Sequence, residues 1–216
     1  MEQTVEIKSK ININPSRVGK KYYVKTFGCQ MNVHDSEKIA GMFELDGMIK
    51  ANSEENADVL FINTCTIREN ADDKLYGTLG QLKQWKSKQT DRKLLVGGCA
   101  AQKDKTLVRD RAPWVDVVLG THNLTNIINL LNQSEDWGPL TEVVDKIEQM
   151  PTDAPSIRES ESSAWLTIQI GCNNSCTFCI VPSVRGPEIS RRPGDVINEA
   201  KLLVDTGVKE ITLLGQ

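Results

Sequence analysis

The chain has 216 residues, a formal net charge of −3, 39% hydrophobic residues and 25% charged residues, which is typical of one or two folded domains. No apolar run approaches the roughly 20 residues of a membrane-spanning helix, and the first residues lack the apolar segment of a secretory signal. We therefore expect a cytoplasmic protein without a membrane partner. The slight negative charge argues against a chain-wide nucleic-acid surface, so RNA contact would need a local basic surface or another domain.

The first part of the chain alternates apolar runs with amphipathic stretches. Strands are predicted over residues 22–27, 59–62, 94–96 and 117–119, and the last three lack the polar alternation of a half-exposed strand. Two helical faces follow from apolar residues at helical spacing, namely Leu75, Leu79 and Leu82, and then Leu124, Ile127, Ile128 and Leu131. The alternation predicts an α/β fold, an open parallel sheet built from βαβ units with helices on both faces.

A change in composition separates this region from the rest of the chain. Residues 134–163 are rich in Pro, Ser and Glu, and only residues 141–147 suggest an extended piece. A strand is predicted over residues 165–170, a helix from Pro193 to about Gly207, and a strand over residues 211–214. We therefore divide the chain into a tail (1–20), an α/β domain (21–133), a linker (134–163) and a second domain (164–216) that contains one βαβ unit.

The cysteines fall into two groups of three. Cys29, Cys65 and Cys99 follow the first, second and third predicted strands at nearly equal intervals. Because the carboxyl ends of parallel strands form one edge of a sheet, these cysteines should converge there. Gly28 and Gly97-Gly98 precede two of them and allow the backbone to approach a bulky cofactor. Buried structural cysteine is the alternative interpretation.

The second group is compact, with Cys172, Cys176 and Cys179 in CxxxCxxC spacing. Soft thiolates in a reducing compartment favour iron-sulfur or zinc sites, and three can hold a four-iron cluster with one iron left open. Structural zinc normally needs a fourth ligand. His34 and His122 lie far away in the sequence and are predicted to be helix-start or surface residues. A non-catalytic protein in which both groups hold structural zinc remains an alternative.

Several motifs carry a family resemblance that extends from about Tyr22 to the end of the chain. Cys172-x-x-x-Cys176-x-Phe178-Cys179 resembles the signature of radical S-adenosylmethionine enzymes. Further motifs resemble the methylthiotransferases of that superfamily, in particular the branch that modifies isopentenylated adenosine beside the anticodon of tRNA. They are Lys25-Thr26-Phe27-Gly28-Cys29-Gln30-Met31-Asn32, Asn63-Thr64-Cys65-Thr66-Ile67-Arg68-Glu69, Gly97-Gly98-Cys99, and Val181-Pro182 with Arg185-Gly186. Branches that act on threonylcarbamoyl-adenosine tRNA or on a ribosomal-protein aspartate are the alternatives within this class.

The resemblance implies a transferase that uses S-adenosylmethionine and two [4Fe-4S] clusters. A radical cluster on the CxxxCxxC cysteines would bind S-adenosylmethionine at its open iron, and the resulting deoxyadenosyl radical would remove hydrogen from adenine carbon 2. Phe178, Gly215 and Gln216 are implied to contact S-adenosylmethionine. No catalytic residue is implied beyond the cluster ligands.

The resemblance also implies an auxiliary cluster on Cys29, Cys65 and Cys99. This cluster would supply the sulfur, and a second S-adenosylmethionine would supply the methyl group. Gln30, Asn32 and Asn63 could orient ligands there or serve as turn and cap residues.

The implied partners are a tRNA substrate and an electron-donating redox protein, and we expect a monomer. Two basic groups either contact phosphate or are solvated surface charge: Arg185, Arg191 and Arg192, and Lys83, Lys86, Lys88, Arg92 and Lys93 beside Trp85. The family has a barrel of several βα units, whereas one such unit is predicted here. We therefore expect a C-terminally truncated chain with an incomplete barrel, inactive as an isolated fragment.

Overall fold

The structure is a computed structural model that describes residues 14–66, 71–145 and 155–215. Within these residues, the first sheet is parallel and has six strands in the order β2-β1-β3-β4-β5-β6. Its strands are β1 (Lys21–Thr26), β2 (Ile49–Lys50), β3 (Val59–Thr64), β4 (Lys93–Gly98), β5 (Val117–Leu119) and β6 (Leu140–Glu142). The four predicted strands are all present.

Helices cover both faces of this sheet, as predicted. Helices α1 (Gln30–Leu45) and α5 (Ile127–Trp137) pack on one face, and α2 (Ala71–Ser87), α3 (Cys99–Asp104) and α4 (Leu107–Arg111) pack on the other. Strand β3 shows why its sequence lacks polar alternation: Phe61 belongs to one hydrophobic layer, and its neighbours Leu60 and Ile62 belong to the other.

Some elements extend or add to the predicted pattern. Helix α5 continues to Trp137, beyond the predicted end of the first domain at residue 133. Strand β6 overlaps only the start of the extended piece predicted over residues 141–147, and it pairs with β5 at the edge of the first sheet, so the first unit includes residues that were predicted to be linker. Strand β2 has only two residues, too few to produce a periodic signal. Helices α3 and α4 are short as well, and they fill the connection between β4 and β5.

The second sheet has the order β8-β7-β9 in the described part of the chain. Strands β7 (Ser163–Ile170) and β9 (Glu210–Gly215) are parallel and are joined through α7 (Pro193–Asp205), which confirms the predicted βαβ unit. Two further elements lie within this connection: α6 (Val181–Arg185) and β8 (Ile189–Ser190), which is antiparallel to β7. The apolar side chains of Ile197 and Leu202 on α7 remain exposed.

Helix α6 attaches the second unit to the carboxyl edge of the first sheet. Val184 of α6 is fully buried, and its carbonyl accepts a hydrogen bond of 2.6 Å from Thr121 Oγ1 in the loop after β5. The backbone of Ile157 donates to Glu37 of α1. No helix among the described residues is long and apolar enough to cross a membrane.

The burial of β3 on both faces leads to a stability prediction. Leu60→Ala should lower the free energy of unfolding by about 2–5 kcal/mol, because it opens a cavity in a closed hydrophobic layer. Leu107→Ala is the matched control, since Leu107 is 40% exposed on α4, and it should change stability by less than about 1 kcal/mol. Urea denaturation monitored by circular dichroism measures both, and equal losses would contradict the assigned burial.

Candidate metal centres

The three scattered cysteines occupy equivalent positions at one edge of the first sheet. Cys29 is the N-cap of α1 after β1, Cys65 directly follows β3, and Cys99 is the first residue of α3 after β4. Strands β1, β3 and β4 are direct neighbours in the sheet, in a register that pairs Thr26 with Asn63 and Thr64 with Gly98. The strand ends, and with them the cysteines, therefore come together.

Local contacts show how closely this edge is packed. A β-carbon placed on Gly28 would lie 3.0 Å from Cβ of Cys65, so the Cys29 turn lies directly against Cys65. Cys65 is 4% exposed and Cys99 is 1% exposed, whereas Cys29 is half-buried. Burial raises the pKa of the Cys99 thiol, and the nearby Arg185 guanidinium opposes that rise. None of the six cysteines forms a disulfide.

Two buried asparagines fasten the strand ends that carry this group. Asn32 Nδ2 donates to Asn63 Oδ1 and to the Thr64 carbonyl, both at 3.0 Å, and Asn63 Nδ2 returns a bond of 2.8 Å to the Asn32 carbonyl. The Cys29 thiol lies 3.4 Å from Asn32 Oδ1. Asn32 and Asn63 thus hold the backbone beneath the cysteines, while Gln30, predicted with them, is exposed.

Arg185 of α6 reaches this edge from the second unit. Its side chain is buried, Nη1 lies 2.8 Å from Asp35 Oδ2 of α1, and the guanidinium interacts electrostatically with the Cys99 and Cys29 thiols. Burial acts to lower the Arg185 pKa, but the surrounding negative groups outweigh it and raise that pKa. This burial excludes both interpretations of Arg185 from the sequence, contact with an external phosphate and solvated surface charge.

Some of the other basic residues contact groups within the protein, and others are exposed to solvent. Arg191 pairs with Glu199 at 2.5 Å, whereas Arg192 is exposed. In the second basic group, Arg92 is buried over the Trp85 ring, while Lys83 and Lys88 are exposed and Lys86 bonds to Asp116. The residues that remain accessible for phosphate are therefore Arg192, Lys83 and Lys88.

The CxxxCxxC loop presents its cysteines differently. It follows β7, with Cys172 half-buried and Cys176 and Cys179 exposed. The Cys172 sulfur accepts from the backbone and side chain of Asn174 at 3.4 Å, and Cys179 N donates to the Cys176 carbonyl at 3.1 Å. These bonds curl the loop into a compact turn with accessible thiols.

A short path connects the two cysteine groups. The Cys172 backbone donates to the Gly186 carbonyl at 3.1 Å, and Gly186 follows Arg185, which pairs with Asp35 beside Cys99. Helix α6 therefore lies between the two groups and contacts both neighbourhoods.

The residues predicted to contact S-adenosylmethionine lie near the compact loop where the structure describes them. Phe178 is within the loop and is 94% exposed. Gly215 ends β9 and pairs with Gln169, just ahead of the loop on β7. Gln216 lies outside the described residues.

Neither histidine is a surface residue. His34 is buried within α1, where Nδ1 lies 3.6 Å from Glu37 Oε2. The backbone of residues 157 and 159 donates to Glu37 on the same helix. His122 is half-buried against Gly186, and burial followed by the Arg185 charge lowers its pKa. The surface alternative of the prediction is therefore wrong for both residues. The helix-start alternative agrees with their positions, since His34 lies near the start of α1 and His122 precedes a short 3-10 helix, Leu124–Asn126.

The donor set of both groups suits a cluster. In the described ranges, no group of three His, Cys, Asp or Glu side chains is arranged to hold a single metal ion. Each group does offer three thiols, the ligands that iron-sulfur clusters use, with each sulfur binding a different iron. Hydrogen bonds of the buried Asn32 and Asn63 hold the backbone of the first group. Hydrogen bonds within the loop hold the second group.

Comparisons with known proteins give one family model for each cysteine group. Residues 21–120 match the Uncharacterized protein family UPF0004, and residues 166–216 match the Radical SAM superfamily. Two similar relatives are both named tRNA-2-methylthio-N(6)-dimethylallyladenosine synthase. The one from Corynebacterium jeikeium (strain K411) is 50% identical over 100% of this chain and 42% of the relative. The one from Tropheryma whipplei (strain Twist) is 54% identical over 90% of this chain and 42% of the relative.

A solved structure is similar in fold. It is a radical S-adenosylmethionine methyltransferase, TsrM, from Kitasatospora setae, with tryptophan and aza-SAM bound. Its TM-score is 0.55 at 9% identity, over 92% of this chain and 48% of that chain. The chain spans about two fifths of the length of the curated relatives it matches.

The contrast in exposure predicts two classes of thiol. In metal-free protein under anaerobic conditions, Cys176 and Cys179 should react with Ellman's reagent at a rate on the order of tenfold higher than Cys65 and Cys99, which need local opening. The C176A/C179A variant should lose the fast phase, and the C65A/C99A variant should retain it. A fast phase that disappears only in C65A/C99A would contradict the assigned burial.

Gly98 gives a prediction about the backbone under the first group. Its φ of 93° lies in the left-handed region, and an added β-carbon would overlap Asn63 Oδ1 and the Thr64 backbone. Gly98→Ala should therefore lower the free energy of unfolding by at least about 1 kcal/mol and reduce iron uptake by the Cys29, Cys65 and Cys99 group. Gly80→Ala is the control, since Gly80 is exposed within α2 with open space around it, and should raise stability by about 0.5–1 kcal/mol.

Proposed function

Because the chain belongs to the methylthiotransferase family of radical S-adenosylmethionine proteins, we propose that it forms part of an enzyme that adds a methylthio group to carbon 2 of isopentenylated adenosine beside the anticodon of tRNA. The names of the matched relatives support this substrate over threonylcarbamoyl-adenosine or a ribosomal-protein aspartate. The transferred sulfur would come through the auxiliary cluster.

The observation that carries the proposal is the pair of three-cysteine groups on either side of α6. Cys29, Cys65 and Cys99 lie at neighbouring strand ends, and Cys172, Cys176 and Cys179 share one loop. A set of three thiolates occupies three irons of a four-iron cluster and leaves the fourth open. One group can then bind S-adenosylmethionine, and the other can bind an external sulfur.

The residues of this chain supply binding and positioning. When bound, the two [4Fe-4S] clusters and S-adenosylmethionine would supply the radical and sulfur-transfer chemistry. The exposed thiols of Cys176 and Cys179 are accessible to a cofactor, and the exposed Phe178 lies in the same loop. Gly215 pairs with Gln169, just ahead of this loop. The burial of Cys65 and Cys99 keeps the Cys29, Cys65 and Cys99 site away from water, and this protects a reactive sulfur from side reactions.

Further elements of the proposal concern partners and organisation. We assign Phe178, Gly215 and Gln216 to S-adenosylmethionine, and the exposed Arg192, Lys83 and Lys88 to tRNA phosphate. A redox protein would donate the electron, and the reaction would take place in the cytoplasm with a monomer. The domain division is part of the same proposal: the first unit, from residue 21 through β6, for sulfur supply, and residues 164–216 for the start of the radical barrel.

Iron analysis with matched variants tests the two sites. After anaerobic reconstitution, the chain should hold about eight irons with broad visible absorption, and C29A/C65A/C99A and C172A/C176A/C179A should each hold about four. S-adenosylmethionine should bind to the first variant and not to the second.

Three results would overturn the proposal. A colourless protein that takes up zinc in both groups supports the structural alternative. A C29A/C65A/C99A variant that still holds about eight irons shows that the first group carries no cluster. Retention of S-adenosylmethionine by C172A/C176A/C179A removes the assignment of the loop.

A further inference from the structure

Arg185 is a buried cation in a place where a metal cluster would bring negative charge. It is 4% exposed and belongs to α6 in the second unit, yet it ends at the cysteine edge of the first sheet. Its Nη2 atom is buried and makes no hydrogen bond of regular geometry within the described residues. A buried charged donor of this kind is costly unless a ligand or charge compensates it.

The Arg185 guanidinium lies among one carboxylate and two thiols. Asp35 pairs with Nη1 at 2.8 Å, while the Cys99 and Cys29 thiols also interact with the guanidinium. Helix α6 packs on α3, whose first residue is Cys99, so the buried guanidinium lies in the neighbourhood of this thiol. The Arg185 charge favours the Cys99 thiolate and the Asp35 charge opposes it. Asp35 thus fixes the guanidinium at the cysteine edge of the first sheet.

We propose that Arg185 is a positioning residue that delivers a positive charge from the radical unit to the Cys29, Cys65 and Cys99 site and thereby raises the reduction potential of the cluster bound there. The inference rests on the proposed function, because it assumes that this group holds a cluster. Three thiolates and an external sulfur make the site anionic, and reduction adds one more negative charge. A fixed cation beside the sulfur ligands stabilises the reduced form more than the oxidised form.

The same residue links the two units. The cation that compensates the first site comes from the segment that also holds the base of the CxxxCxxC loop, through the bond from Cys172 N to the Gly186 carbonyl. Docking of the second unit therefore completes the electrostatic environment of the first.

The test isolates the auxiliary site in a C172A/C176A/C179A background, which leaves one group of three cysteines. The reduction potential of the reconstituted cluster is measured by anaerobic dye-linked titration with electron paramagnetic resonance. Arg185→Gln should shift the potential to more negative values, Arg185→Lys should stay close to the background, and Asp35→Asn should shift it to more positive values, because the guanidinium is then unopposed. Arg192→Gln, which removes an exposed charge, is the control and should leave the potential unchanged.

Shifts of the reduction potential in opposite directions for Arg185→Gln and Asp35→Asn distinguish a charge effect from a loss of folding. If Arg185→Gln is not recovered as folded protein, Asp35→Asn decides: a positive shift supports the inference and an unchanged potential overturns it. Shifts of the same sign in Arg185→Gln and Asp35→Asn, or an Arg185→Gln potential equal to that of Arg192→Gln, also overturn it. A background protein that binds no iron refutes the proposed function itself, which separates that failure from this one.

Discussion

The parallel register of β1, β3 and β4 is the constraint on which the first site depends. Parallel neighbours end at the same edge, and each of these strands is followed at once by a cysteine. The Asn32 and Asn63 side chains bond across the strand ends, so the positions of the cysteines are set by backbone geometry more than by the cysteines themselves. Gly98 is needed because only a residue without a β-carbon fits over Asn63 and Thr64.

The two cysteine groups have different physical surroundings that suit different tasks. In the first, Cys65 and Cys99 are buried at the carboxyl edge of the sheet, and Cys29 is half-buried. Burial disfavours a thiolate, and it raises the pKa of Cys99 although the Arg185 charge opposes this rise. The second lies on an accessible loop with exposed thiols. A protected site suits the storage of a reactive sulfur, and an open one suits the exchange of a cofactor, which is the division that the proposed function requires.

Helix α6 joins these surroundings. Its residues are few, but Val184 is fully buried, its carbonyl receives the Thr121 hydroxyl, and Arg185 enters the first site. An ion pair buried in this way contributes little net stability, because desolvation offsets the attraction. Its role is better understood as orientation, since Asp35 holds the guanidinium in one place relative to the thiols.

The sequence by itself determined the fold class, the helices and strands with strong periodicity, and the grouping of the cysteines. Buried strands such as β3 show as apolar runs, and helices such as α2 show as leucines at helical spacing, because burial acts on every turn or every residue of a regular element. Strand β2, with two residues, and helix α6, with five, leave no such pattern, so they were not predicted. The resemblance to methylthiotransferases was likewise carried by short motifs that can be read directly.

Only the tertiary structure decided that Arg185 and His34 are buried and that Asn63 bonds to Asn32 across the strand ends. From the sequence, Arg185 stood beside the radical loop as a candidate for phosphate contact or as surface charge; in the fold it is buried against Asp35, which lies 150 positions earlier in the chain. His34 is buried on α1, and the backbone of Ile157, more than 100 positions later in the chain, bonds to Glu37 of the same helix. Local patterns record the burial of regular elements, whereas contacts between distant segments depend on how the units pack, and no spacing in the sequence encodes that packing.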